Sequence, residues 1–139
     1  MSLRALALAT ALLAASGAGA QSQSPAPDPT KEAGRINARL SMEYLKRGQL
    51  QVAQEKIEKA LKQNPHDVNV QLSAGLVYER LLENKKAEKH YRQAVREDSE
   101  SPEALNALAT FLCRNDQQAK GEEMFLKAAA NPIYRTPFV

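Results

Sequence analysis

Residues 68–101 read VNVQLSAGLVYERLLENKKAEKHYRQAVREDSES. Apolar residues recur in this stretch at intervals of three and four, the spacing of one helix face. It is dense in Ala, Leu, Glu, Lys, Gln and Arg, all good helix formers. Breakers bound it: Asn64-Pro65 precedes it and Ser101-Pro102 closes it, with a further pair at Asn131-Pro132. The spacing predicts two helices here, over 68–82 and 84–97. Sliding the chain against itself by the length of this stretch then shows that it is one of three. Leu40, Ala74 and Leu108 superpose, as do Tyr44, Tyr78 and Leu112. So do Ala53, Ala87 and Gly121; Ile57, Tyr91 and Phe125; and Ala60, Ala94 and Ala128.

Each column has a physical task. Small residues at 53, 87 and 121 let two antiparallel helices approach closely. Large ones at 44 and 78, and at 57, 91 and 125, fill the space beside that contact. The alanines at 60, 94 and 128 make room for the following unit. Pro102 suits a first helical position, with Ser101 as its cap. Six helices are expected, over 34–47, 50–63, 68–82, 84–97, 102–114 and 117–130. The pattern resembles the tetratricopeptide repeat, a helix-turn-helix unit of this same period. Gly75, the tyrosines and Pro65 belong to that resemblance. Asn37, Gln71 and Leu105 depart from it where an aromatic is usual, and Pro132 falls one residue early. The expected fold is an all-α solenoid of three such repeats, 34–67, 68–101 and 102–133, with a tail at 134–139. The repeat-defining core is Leu40, Tyr44, Ala53, Ile57, Ala60, Ala74, Gly75, Tyr78, Ala87, Tyr91, Ala94, Leu108, Leu112, Phe125 and Ala128.

The start of the chain reads differently. Arg4 is followed by an apolar run, Ala5 to Ala15, broken only by Thr10, and then by Ser16-Gly17-Ala18-Gly19-Ala20. A positive start, a short apolar stretch and an A-x-A site make a Sec signal peptide, cut after about Ala20. Export to the periplasm is expected, and no cysteine stands at the cut to carry a lipid anchor. Residues 21–33, QSQSPAPDPTKEA, hold three prolines and few large apolar side chains. Such a segment buries too little to offset ordering entropy, and it is expected to be a disordered linker.

Composition narrows the function classes. The 139 residues hold 19 Lys+Arg against 16 Asp+Glu, for a net charge of +3. The two signs are interspersed, whereas a nucleic-acid binder segregates positive charge. No apolar run reaches the ~20 residues of a spanning helix. One cysteine excludes an internal disulfide and a Cys-based zinc site. No cofactor is expected. His66 and His90 are too far apart in sequence for a metal pair on one helix and read as surface residues. Cys113 lacks the surroundings of a nucleophile and reads as a partly buried thiol. Glu55–Lys59, Glu58–Lys62 and Glu88–Arg92 are favourable i,i+4 pairs.

Stacked repeats curve, and the first helix of each unit lines the concave face. That face is expected to present Arg35, Arg39 and Met42, then Asn69, Leu72, Leu76 and Glu79, then Asn106 and Thr110. Met42, Leu72 and Leu76 would form the apolar floor of a partner groove. The Lys/Asn clamp by which one tetratricopeptide subclass holds C-terminal carboxylates is missing, since Ala38, Met42, Ser73, Glu103 and Ala107 occupy its places.

A narrower resemblance lies near the C-terminus. Asn106, Phe111-Leu112-Cys113, Phe125 and Pro132-Ile133-Tyr134-Arg135-Thr136-Pro137 together resemble the type IV pilus biogenesis and stability protein family. These are periplasmic tetratricopeptide-repeat proteins, several of them lipoproteins called pilotins that assist secretin assembly. The resemblance implies a non-catalytic scaffold whose partners are pilus-assembly or secretin components. This chain departs in lacking the lipobox cysteine and in stopping at Val139 where the family continues with further repeats, as expected of a truncated gene product, a short paralogue or a fragment. A general envelope scaffold in another secretion or maturation pathway is the alternative, and an enzyme subunit a distant one. The last helix carries Met124, Phe125 and Leu126, so the C-terminal end is expected to favour self-association or partner docking.

Overall fold

The computed structural model describes residues 26–132. Six helices follow one another: α1 (Pro29–Lys46), α2 (Leu50–Gln63), α3 (Val68–Arg80), α4 (Asn84–Glu97), α5 (Pro102–Arg114) and α6 (Gln118–Ala129). They pack as three pairs, α1 with α2, α3 with α4 and α5 with α6, each pair stacked on the one before it. Expectations for the signal peptide, for residues 21–25 and for the tail from 133 lie outside the described residues.

The start of α1 corrects the linker boundary. Residues 29–33 are helical, not part of a disordered segment. Asp28 is the reason: its Oδ1 accepts from the backbone N–H of Thr30 at 2.9 Å and of Lys31 at 3.4 Å. Pro29 follows at the first helical position and Glu32 sits in the first turn, where it favours the positive end of the helix dipole. Asp67 caps α3 in the same way, and Ser101 Oγ caps α5 through Ala104 N at 3.2 Å.

The turn inside each pair is built identically. Gly48, Leu82 and Asp116, which share one position of the repeat, all have positive φ, at 73°, 60° and 59°. After each, the next N–H bonds back to a carbonyl in the last turn of the preceding helix: Gln49 to Tyr44, Glu83 to Tyr78 and Gln117 to Leu112, at 2.9–3.0 Å. This is the left-handed C-terminal stop that ends many helices. It also ends α3 at Arg80, short of the expected position 82.

The core runs along the stack. Ala53, Ala60, Ala87 and Ala94 are wholly buried, as are Ile57 and Ala74, and Gly121, Tyr91 and Ala128 nearly so. Gly75 is required by a close approach: a Cβ there would lie 2.5 Å from the Tyr91 ring. Gly121 stands likewise against Cys113 and the carbonyl of Ala109. Ser41, fully buried, donates its hydroxyl to the Ala53 carbonyl at 2.8 Å and ties α1 to α2. Tyr78, Leu108 and Leu112 are buried, while Tyr44 is half-buried.

Two expected core residues are exposed. Leu40 is 41% and Phe125 40% accessible. Their equivalents, Ala74 and Leu108, Ile57 and Tyr91, are covered by the adjoining repeat. Among the described residues no repeat adjoins the outer side of α1 or α6. Of the three expected i,i+4 pairs, Glu88–Arg92 forms at 2.7 Å. Glu58 accepts from Gln54 at 2.9 Å instead. His90 is not a solvated histidine: it stacks on Tyr78 at 5.3 Å and its Nδ1 lies 2.7 Å from Gln71 Oε1.

Candidate partner groove

The first helices of the repeats share one side of the stack, and two hollows lie along it. The larger, about 740 Å³, is bounded by α1, the α2–α3 turn and the start of α3. Arg35, Ala38, Arg39, Met42, Lys46, Asn69 and Ser73 line it. The smaller, about 240 Å³, continues toward α5 and is lined by Met42, Leu45, Lys46, Leu76, Glu79, Arg80 and Arg114. Met42 and Lys46 belong to both, so the two form one trough.

Of the residues expected in the groove, Arg35, Arg39, Met42, Asn69, Leu76 and Glu79 line this trough. Leu72 packs half-buried against the core. Asn106 is half-buried and Thr110 exposed on α5, both outside the two hollows. Ala38 reaches the trough only from a buried position, 4% accessible.

The charges of the trough are organised. Arg35 Nε donates to Asp67 Oδ2 at 2.8 Å, which joins α1 to the cap of α3. That hydrogen bond and the carboxylate charge raise the Arg35 pKa further. Arg39 lies 3.5 Å from Glu32. Lys46 Nζ donates to Glu43 at 2.8 Å and holds that carboxyl below its ordinary pKa. Glu79 joins three helices. It accepts the Tyr91 hydroxyl at 2.9 Å from behind and Arg114 at 3.0 Å from α5. Burial first, and the neighbouring Glu79 charge second, push the Tyr91 phenol far up, so it stays a donor. Arg80 makes no ion pair among the described residues and is an exposed residue at the rim.

Lys46, Arg80 and Arg114 lie outside the expected set. They occupy one position of the repeat, at the last turn of each first helix. The same self-comparison contains them, as a charged column beside the apolar ones. The trough thus has an apolar floor of Met42 and Leu76 under a rim in which one position is cationic in every repeat, with Arg35 and Arg39 adding charge in the first. No cluster of metal-ligating side chains occurs among the described residues. None of the described helices is long and apolar enough to cross a membrane.

The tetratricopeptide-repeat family pattern matches residues 39–102. The type IV pilus assembly protein PilF of Pseudomonas aeruginosa is 28% identical over 108 residues, which span 74% of this chain and 43% of that protein. A solved structure of Pseudomonas aeruginosa PilF superposes with a TM-score of 0.71 at 26% identity, covering 77% of this chain and 48% of the other. The crystal structure of PilW, described as a widely conserved type IV pilus biogenesis factor, gives 0.68 at 35% identity, with 75% and 48% covered. The chain therefore spans about half the length of these relatives. It is an all-α tetratricopeptide-repeat solenoid, homologous to the type IV pilus tetratricopeptide-repeat proteins PilF and PilW.

Proposed function

We propose that this protein is a non-catalytic, periplasmic protein–protein interaction scaffold in type IV pilus biogenesis, with a pilus-assembly or secretin component as its partner. The observation that carries the reading is the trough along α1, α3 and α5, with Met42 and Leu76 as floor and Lys46, Arg80 and Arg114 along its rim. Its homology to PilF and PilW supplies the pathway. A groove of this shape takes an extended segment or a helix: apolar side chains seat on the floor and acidic ones meet the rim. Tyr91 and Arg114 hold Glu79 from two sides, so the floor is rigid before a partner arrives and less ordering entropy is lost on binding. The face of α6 is a second docking surface, through which the chain self-associates.

The test is genetic. Surface pili are counted in the host after deletion of the gene and after complementation. The wild-type chain should restore pili. The Met42→Glu/Leu76→Glu chain, expressed and helical, should not. Unchanged piliation in the deletion strain would remove the proposed role.

A further inference from the structure

Inside the stack, each joint between repeats is made by two recurring sets of side chains. On the receiving side, α3 presents Val70, Ala74 and Val77, and α5 presents Ala104, Leu108 and Phe111. All six are buried, with at most 2% accessible. On the delivering side stand Ile57 of α2 and Tyr91 of α4. The Tyr91 and Phe111 rings meet at 5.4 Å, which fixes which position faces which across a joint.

One period earlier than the receiving set lie Ile36, Leu40 and Glu43, on α1. One period after the delivering residues lies Phe125, on α6. Ile36 is 45% and Leu40 41% accessible, and Phe125 is 40% with Leu126 beside it at 72%. The described body thus carries an unfilled receiving face at one end and an unfilled delivering face at the other, in the same register.

We infer that the chain associates head to tail: the α6 face around Phe125 seats on the α1 face around Ile36 and Leu40 of a second copy. The joint itself identifies the occupant. The two exposed faces are the two halves of a contact that the protein already makes twice within its own stack. A copy placed one step beyond α6 continues the period of the repeat. Ile36, Leu40 and Phe125 line neither hollow of the groove, and Glu43, at the edge of the larger one, belongs to both surfaces.

Glu43 sets the strength of this contact. It stands where Val77 and Phe111 stand in the internal joints, and its carboxylate is held by Lys46 at 2.8 Å. The joint between copies is therefore weaker than those within the chain. Because the two faces differ, the contact is heterologous and does not close on itself, so it propagates into short chains of copies.

Sedimentation equilibrium of the purified chain up to about 1 mM tests this. The average mass should rise with concentration. Leu40→Glu and Phe125→Glu should each sediment as monomers, since each blocks one face. Mixed together they should form a 1:1 dimer and stop there, because one intact pair of faces remains; that dimer also shows both variants to be folded. Glu43→Val should tighten the wild-type association by at least about tenfold. A wild-type chain that stays monomeric throughout, or one that associates only after residues 133–139 are removed, would overturn the inference. So would association that persists in both single variants, or a mixture that remains monomeric.

Discussion

Positions 48, 82 and 116 hold the same left-handed backbone with three different residues. Nothing lies within 4 Å of a Cβ built on Gly48, so a side chain there meets only backbone strain. A non-glycine residue in this region costs about 1–2 kcal/mol. Gly48→Ala should therefore destabilise the protein by about 1 kcal/mol. Leu82, 86% accessible, already carries that strain without visible packing in return. Leu82→Gly should stabilise by about 0.5 kcal/mol once the entropy lost by glycine is subtracted. Denaturant midpoints of the two variants check both signs. His90 gives a pH signature. Burial, then Lys89 and Lys86, lower its pKa below the ordinary 6.5. The folded state thus disfavours the imidazolium, and the unfolded state binds the proton more readily. Stability should be fully present above about pH 6.5 and fall as the pH drops toward the folded-state value. His90→Phe keeps a ring on Tyr78 and should flatten the melting-temperature profile in that window, while the wild type declines.

The helices are legible in the sequence where small residues recur. Ala53, Ala60, Ala87, Ala94 and Ala128 can be placed in the core from sequence, because only small side chains fit where paired helices cross, at 53 and 87, or where room is left for the following unit, at 60, 94 and 128. Ala87→Leu, at a position with no accessible surface, should destabilise by about 1–3 kcal/mol through overpacking. Thr110→Leu, exposed on α5, is the matched control. Equal losses in the two chemical melts would contradict the packing assignment. The start of α1 is not legible, since the prolines of residues 21–33 mask a cap at Asp28-Pro29. Asp28→Ala should cost about 0.5–2 kcal/mol, concentrated in the first turn. Hydrogen exchange should then quicken at Thr30, Lys31 and Glu32 and leave α3 unchanged. Leu40 and Phe125 escape the core for a different reason. A column in a self-comparison records the kind of residue a repeat uses, whereas burial depends on whether a neighbouring repeat is there to cover it. Ser41 gives no signal, because a buried hydroxyl is explained only by its partner carbonyl on another helix.

The stack as a whole converts these local rules into a continuous surface. Three first helices share a side because each pair is related to the next by nearly the same step, which brings side chains one repeat apart into one row. Met42 and Leu76 can be assigned to this surface from their place in the repeat. Lys46, Arg80 and Arg114 follow from the same rule but emerge only when charged columns are compared as well as apolar ones. Tyr91 and Glu79 show how core and surface are joined: a phenol in the core fixes a carboxylate at the groove. The proposed scaffold role rests on this trough being the surface that meets a partner. Site-specific photocrosslinking in the living host tests it most directly, with a photoreactive residue at Leu76 in the trough and, separately, at Glu55 on α2. A crosslink should form from Leu76 to a component of the pilus-assembly machinery and none from Glu55. Crosslinks of equal yield from both positions, or none from Leu76 in a host making pili, would contradict it.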